Sequence, residues 1–196
     1  MGDNAQVINR VGDVLLFDKP FIWYAEILGL IQTIMDNKAR HAEIARRNLP
    51  GMHVYTLGTN FDGVKYRDQV VDKYVAVVRA RFDIDEFKMA LTIDRWFDSN
   101  KDKKQNSYSY FGLANAAIQQ GISRIVRVCS VGLLSWKKCE PVKIGDRPFC
   151  SKQVAEIYEM YNGYRFKRNG VEIPADVVTP GDIYACEDFV IIKDFG

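Results

Sequence analysis

The chain has 196 residues, of which 47% are hydrophobic and 27% are charged, and its formal net charge is +2. This length and composition are typical of one globular domain, so we expect a single domain over residues 1–196. The small net charge argues against a dedicated nucleic-acid-binding protein. Residues 1–10 lack the apolar segment of a secretory signal, and no apolar run reaches the roughly 18 residues of a membrane span. We therefore expect neither export nor a membrane-spanning segment.

The first half of the chain predicts strands around one helix. A glycine turn and an apolar run over residues 12–17 are typical of a buried strand, and Pro20 with helically spaced apolar residues predicts a helix through about Met35. Strands over 41–46 and 52–57 flank the turn Asn48-Leu49-Pro50-Gly51, which predicts a β-hairpin.

The pattern then changes from strand to helix. A turn at Phe61-Asp62-Gly63 leads to a short strand over 64–66, and a valine-rich segment over 74–79 predicts another strand. Asp83 predicts an N-cap, with Glu86 completing a capping box for a helix that ends near Phe97.

The following segment is less regular. Residues 98–107 are polar and predict a loop, and residues 113–120 predict a helix. Residues 122–138 fit a helix or a strand equally well, and residues 143–147 predict a loop that leads to Cys150.

A second amphipathic helix is predicted to begin at or just after Cys150. Pro148 disfavours helical backbone in the residue before it, and Gly163 offers a left-handed stop. Four apolar residues lie between them with helical spacing: Val154, Ile157, Tyr158 and Tyr161. A thiol at this helix start lies near unpaired backbone N–H groups and the positive end of the helix dipole, which favour a thiolate. The ordinary alternative is a small buried core residue.

The end of the chain predicts short elements. Residues 164–167 and 171–173 alternate like strands, Thr179-Pro180-Gly181-Asp182 has the character of a helix start, and residues 189–192 predict a strand. Together the elements predict an α+β fold in which helices pack against an antiparallel sheet.

The four cysteines are predicted to be reduced, because no CxxC pair is present and no export signal precedes them. They are Cys129, Cys139, Cys150 and Cys186. The two histidines, His41 and His53, both fall on the predicted hairpin. With Cys150 they supply the parts of a nucleophile, a base and an orienting group.

Several of these segments resemble a family. The Gly12-Asp13 strand and His41 in His-Ala-Glu-Ile-Ala resemble blocks of NlpC-like papain-fold cysteine peptidases. The cysteine comes last, in Phe-Cys-Ser-x-x-Val, which resembles the circularly permuted papain-like branch found in bacteria and their phages. The helix before His41, the segment Tyr108-Ser109-Tyr110 and the segment Thr179–Asp182 are also similar to that branch.

The resemblance implies a permuted papain-like fold, with an antiparallel sheet or small barrel, and a cysteine amidase or peptidase without a cofactor or metal. It implies an amide substrate, such as a γ-linked or D-residue bond in peptidoglycan. Cys150 would be the nucleophile, His41 the base and His53 the group that orients His41. Tyr108 and Tyr110 would bind the substrate, and the alternative for both is a role as core aromatic residues. The protein would act in the cytoplasm, or in a virion with other virion proteins if it comes from a phage. Two positions depart from the family pattern: Lys152 stands where many members have Glu, and Thr56 stands at the position of an acid.

Two other interpretations remain open. The chain could keep the fold without the chemistry, as a binding or structural module such as a phage tail component. It could also form a zinc site, since ligands of the right type are present, although their spacing lacks the short pairs of structural zinc sites. That ligand set would be His41, His53, Cys139 and Cys150.

Overall fold

The computed structural model describes residues 10–17, 39, 41–48, 53–60, 63–70, 76–101 and 149–194. Within these ranges the elements in chain order are β1 (Val14–Phe17), β2 (His41–Asn48), β3 (His53–Asn60), β4 (Gly63–Val70), β5 (Ala76–Ala80), α1 (Glu86–Asn100), α2 (Cys150–Asn162), β6 (Lys167–Arg168), β7 (Val171–Glu172), a 3-10 helix (Ala175–Val177), α3 (Pro180–Tyr184) and β8 (Phe189–Asp194). None of the helices in the described part of the chain is long and apolar enough to cross a membrane.

Six strands form one antiparallel sheet in the order β4-β3-β2-β1-β5-β8, and β6 pairs with β7 separately. The predicted α+β class with an antiparallel sheet is therefore confirmed. The predicted small barrel is not, because β4 and β8 end the sheet at opposite edges and, among the described residues, do not pair with each other. One irregularity interrupts β2: its pairing with β3 shifts between Ala45 and Arg47, which makes Arg46 the extra residue of a β-bulge.

The two faces of the sheet belong to different apolar clusters. The larger cluster contains inward residues of α1 and α2 together with two alternate residues of β1, Val14 and Leu16. The smaller cluster includes the other two residues of β1, Leu15 and Phe17. Directly paired residues of neighbouring strands share a face, and β1 pairs Leu15 with Glu43 and Phe17 with His41. His41 and Glu43 therefore lie on the same face of the sheet as the smaller cluster.

The predicted hairpin is confirmed as β2 and β3, with Ile44 paired to Leu57 and Asn48 paired to Val54. The strands predicted from the valine-rich segment and near the chain end are confirmed as β5 and β8. The strand predicted over 64–66 is longer than expected, since β4 pairs with β3 from Gly63 to Val70.

Helix α1 begins later than predicted. Asp85, not Asp83, is the N-cap, and its carboxylate accepts a hydrogen bond of 3.0 Å from the Lys88 N–H. The hydroxyl of Tyr161 in α2 accepts a hydrogen bond of 2.8 Å from the Asp85 N–H, which anchors the chain immediately before the helix. This tertiary contact selects one of two nearby aspartates as the cap. The helix also continues to Asn100, into the residues predicted as a loop.

Helix α2 has the predicted ends. Phe149 is its extended N-cap residue and Cys150 its first helical residue. Gly163 ends it with φ of +77°, and the Gly163 N–H donates to the Glu159 carbonyl at 2.8 Å. The buried residues of α2 include all four of the predicted apolar positions.

The Gly-Asp turn before β1 is a structural junction. Gly12 has φ of +93°, and its carbonyl accepts a 2.6 Å hydrogen bond from the buried Tyr158 hydroxyl of α2. Both carboxylate oxygens of Asp13 accept hydrogen bonds from Arg79 of β5, at 2.8 and 2.7 Å. Burial raises the pKa of Asp13, although Arg79 opposes this effect. The turn therefore joins β1 to β5 and to the helix that carries Cys150.

The predicted helix start at Thr179 is also confirmed. Thr179 and Asp182 form a reciprocal capping box at the start of α3. Arg168 donates two hydrogen bonds to the Asp182 carboxylate, at 2.8 and 2.6 Å, and thereby joins the β6–β7 ribbon to α3.

Several predictions fall on residues outside the described ranges. They are the helix over 20–35, the turns at 49–51 and 61–62, the elements over 108–138, the loop over 143–147, the cysteines Cys129 and Cys139, and the tyrosines Tyr108 and Tyr110.

Candidate active site

Cys150 is fully buried at the start of α2, and its thiol is free of any disulfide. Phe149 precedes it in extended conformation, and the first helical hydrogen bond runs from the Gln153 N–H to the Phe149 carbonyl at 2.9 Å. The N–H groups of the first turn have no partner within the helix, and this end of the helix dipole favours negative charge. The local backbone therefore suits a thiolate at Cys150.

Buried polar contacts hold this end of α2 against the 3-10 helix. Ser151 donates its hydroxyl hydrogen to the Val178 carbonyl at 2.6 Å. The ammonium of Lys152 lies 2.6 Å from Asp176 and 3.6 Å from Glu156. Burial acts to lower the pKa of Lys152, but these two carboxylates outweigh it and raise that pKa. Lys152 is thus a structural cation, which explains how a lysine is accommodated two residues after the cysteine.

The side chain of Gln153 attaches the same turn of α2 to β3. Its amide nitrogen donates to the Leu57 carbonyl at 2.9 Å, and its amide oxygen accepts a hydrogen bond from the Thr59 hydroxyl. All three residues are buried. These contacts fix the position of the helix start relative to the hairpin that carries His41.

The His41 imidazole lies against the Cys150 thiol. Burial acts to lower the pKa of His41. The negative charge of Cys150 and its hydrogen bond to the ring outweigh burial, and a hydrogen bond and charge from Glu43 add to them, so the His41 pKa rises to about 9. Only 5% of the His41 side chain is exposed. A buried imidazole with this pKa carries a positive charge at neutral pH, as the partner of a thiolate does.

Glu43 holds the other side of the His41 ring. Its Oε1 lies 3.2 Å from His41 Nε2, so Nδ1 is the ring nitrogen left for the thiol. Its Oε2 accepts hydrogen bonds from Thr56 at 2.6 Å and from Gln69 at 3.1 Å, and Arg67 lies 3.6 Å from Oε1. Burial acts to raise the pKa of Glu43, but the hydrogen bond and charge of His41, then the hydrogen bond of Thr56 and the charge of Arg67, lower it overall. Glu43 is therefore an ionised acceptor that orients His41.

Cysteine, histidine and glutamate in this order can perform nucleophilic catalysis. The imidazole exchanges a proton with the thiol, and the carboxylate holds the ring in the required orientation and stabilises its charged form. The three side chains come from two elements: His41 and Glu43 from β2, and Cys150 from α2.

The predicted role of His53 is wrong. Because β3 runs antiparallel to β2, its first residue lies beside the end of β2, where Asn48 pairs with Val54. At a rise of about 3.3 Å per residue, that end is on the order of 20 Å from His41. His53 is 44% exposed and contacts Asp68 at 2.7 Å. The zinc set that combined both histidines is not assembled for the same reason.

Sequence reasoning missed Glu43, although the signal was present. His41 and Glu43 are separated by one residue on a predicted strand, and alternate residues of a strand lie on one face. Thr56, noted for its lack of a carboxylate, instead donates a hydrogen bond to the Glu43 carboxylate. The acid is therefore present, on the histidine strand rather than on the next one.

The other described cysteine, Cys186, is in a different environment. It is buried, and the Tyr164 hydroxyl lies 3.1 Å from its sulfur and 3.1 Å from Asp188. Burial, followed by these two partners, raises the pKa of Tyr164. Cys186 lies beside a tyrosine hydroxyl, whereas His41 contacts Glu43 and His53 contacts Asp68, so Cys186 serves as an internal reference for the thiol of Cys150.

No protein-family model matches the chain, and comparison with curated proteins and with solved structures gives no match either. A function for this chain is therefore inferred from the chemistry of Cys150, His41 and Glu43.

Proposed function

We propose that the protein is a thiol-dependent acyl-transfer enzyme that hydrolyses an amide bond. The proposal depends on one observation: a buried imidazole interacts with a thiol at a helix start on one side and with a buried carboxylate on the other. A cysteine held only for packing needs neither the imidazole nor the carboxylate, and burying these polar groups is unfavourable unless they are paired.

In the proposed reaction His41 holds the proton of Cys150, and the Cys150 thiolate attacks the substrate carbonyl carbon. The backbone N–H of Cys150 stabilises the negative charge that develops on the carbonyl oxygen. The carbon–nitrogen bond then breaks, His41 donates its proton to the leaving amine, and a thioester remains on Cys150. His41 next accepts a proton from water, and the resulting hydroxide attacks the thioester carbon. The carbon–sulfur bond then breaks, the acid is released, and the Cys150 thiolate and the His41 imidazolium are restored.

The permuted papain-like fold is the one that we favour for the chain that carries this site. The order of the parts supports it: a Gly-Asp turn and strand, then the histidine strand, then the cysteine at the start of a helix packed on the sheet. The departure at Thr56 no longer weakens this assignment, because Glu43 supplies the carboxylate. A substrate in cell-wall peptides follows from the resemblance alone.

A catalytically silent module is the second candidate, and one observation favours it. The Cys150 thiol has no exposed surface, whereas a nucleophile has to reach its substrate. In that case the same three residues would be a buried polar cluster of a binding or structural protein, such as a component of a phage tail.

Thiol labelling tests the proposal. Iodoacetamide applied as a short pulse at about pH 6, where an ordinary thiol is almost fully protonated, should alkylate Cys150 before Cys186. His41→Ala should slow the labelling of Cys150 and leave Cys186 unchanged. Cys150 labelling no faster than Cys186 in the folded protein would favour the silent module. Release of amines from peptidoglycan peptides, lost in Cys150→Ala, would then identify the substrate class.

A further inference from the structure

One segment of β3, Thr56-Leu57-Gly58-Thr59, contacts the site from both faces of the sheet. Thr56 donates its hydroxyl hydrogen to Glu43, and Thr59 donates its own to Gln153 of α2. Leu57 belongs to the apolar cluster that includes α2, so the residues that alternate with it, Thr56 and Gly58, lie on the face of Glu43. The same four residues therefore adjoin both the carboxylate and the helix of the nucleophile.

Gly58 is unusual within this segment because its backbone does not require glycine. The glycines with positive φ among the described residues are Gly12, Gly63, Gly163 and Gly170, and Gly58 is not one of them. The requirement is one of space. A β-carbon on residue 58 would lie 2.5 Å from Oε1 and 2.7 Å from Cδ of Glu43, and 3.0 Å from Nη1 of Arg67.

The Glu43 carboxylate cannot move aside without losing its contacts. It is fully buried, its Oε2 is held by Thr56 and Gln69, and its Oε1 faces His41 at 3.2 Å. A β-carbon at position 58 would press on Oε1, the oxygen that contacts the imidazole. Displacement of that oxygen would weaken the hydrogen bond to His41 before the others.

We propose that Gly58 is a positioning residue, and that the missing side chain at this position allows Glu43 to lie within hydrogen-bonding distance of His41. The catalytic consequence rests on the proposed function, whereas the geometric part concerns only Glu43 and His41. Any side chain at position 58 should separate His41 from its carboxylate and leave the Cys150 thiol to interact with an unsupported imidazole.

The test is an NMR titration of the imidazole signals, which is simple because the chain contains two histidines. In Gly58→Ala the titration midpoint of His41 should fall by about one pH unit, which is about a tenfold increase in the acid dissociation constant of the imidazolium. The spectrum of His53, at the far end of the hairpin, should be the same in the variant and in the unmodified protein. A purely structural role of Gly58 would destabilise the fold without moving the His41 midpoint, and that result would overturn the proposal.

A double-mutant cycle with Glu43→Ala provides the matched control. Without the carboxylate the atom closest to the β-carbon at position 58 is Nη1 of Arg67, at 3.0 Å, the end of a flexible side chain that can shift. Gly58→Ala should therefore leave the His41 midpoint of the Glu43→Ala protein unchanged. If Gly58→Ala fails to fold only when Glu43 is present, the clash is still demonstrated. Failure to fold in both backgrounds, or a further shift in the double variant, would contradict the proposal. Because the titration needs no substrate, unreactive Cys150 would refute the proposed function and leave this result intact.

Discussion

Glu43→Gln is the most informative single change, since it removes one negative charge and keeps the length of the side chain. The amide oxygen can still accept a hydrogen bond from His41 Nε2, so the ring keeps its orientation. The charge that stabilises the imidazolium is lost. The substitution therefore separates the electrostatic role of Glu43 from its role in orienting His41.

The size of the effect follows from the His41 pKa. A rise from the ordinary 6.5 to about 9 corresponds to about 3 kcal/mol in favour of the charged ring. Cys150 and Glu43 supply this together against burial, and Cys150 supplies the larger part. We assign about 1 kcal/mol to the Glu43 charge, so the ratio of the thiolate–imidazolium pair to the neutral pair should fall about fivefold to tenfold in the variant.

The assay is the rate of Cys150 alkylation by iodoacetamide as a function of pH, with the labelled peptide quantified by mass spectrometry. At about pH 6, where the thiolate depends on the imidazolium, the variant should react more slowly, by at most about fivefold to tenfold. At about pH 10, where any accessible thiol is ionised, the two rates should converge. Convergence shows that access of the reagent has not changed.

His53→Ala is the matched control, because it removes the other histidine of the chain at the far end of the hairpin. It should leave the rate unchanged at every pH. Equal rates for Glu43→Gln and the unmodified protein at about pH 6 would refute the electrostatic reasoning. Slowing by the same factor at every pH would do so too, since it would indicate reduced access rather than lost charge.

Three further predictions concern the same framework. Cys150→Ala should shift the His41 titration to lower pH, because the Cys150 thiolate raises the His41 pKa more than any other group does. An unchanged NMR midpoint would show that the two side chains do not interact. Asp13→Asn leaves Arg79 without its carboxylate and should lower the free energy of unfolding by about 3 kcal/mol, measured by urea denaturation. Tyr158→Phe removes one buried hydrogen bond and should cost about 1 kcal/mol in the same assay; unaltered urea midpoints in both variants would contradict the role given to the Gly-Asp turn.

The start of α2 was predictable because its signals are local. Pro148, Gly163 and the spacing of apolar residues determine the helix ends whatever the rest of the chain does. The start of α1 was misplaced because two aspartates offer the same local signal. The choice of Asp85 depends on the Tyr161 hydroxyl, which comes from a distant part of the sequence.

In the candidate site, too, local features could be predicted from the sequence and tertiary contacts could not. The shared face of His41 and Glu43 follows from strand alternation and could have been predicted. The contact between His41 and Cys150 depends on how α2 lies on the sheet, and the spacing of apolar residues along the sequence does not determine that. The separation of His53 from His41 also follows from the hairpin itself, because the first residues of two antiparallel strands in a hairpin lie at opposite ends.

The β-bulge at Arg46 determines where β2 tolerates a change in length. Deleting Arg46 would remove the extra residue and its two hydrogen bonds to Asp94 of α1, but it would leave the pairing of Ala45 with Thr56 in place. His41 and Glu43 would therefore keep their face of the sheet. Deleting Ile44, between Glu43 and Ala45, would instead turn His41 and Glu43 towards the opposite face of the sheet. Loop grafts, insertions and shortened versions of this hairpin should therefore be joined on the Arg46 side of the strand.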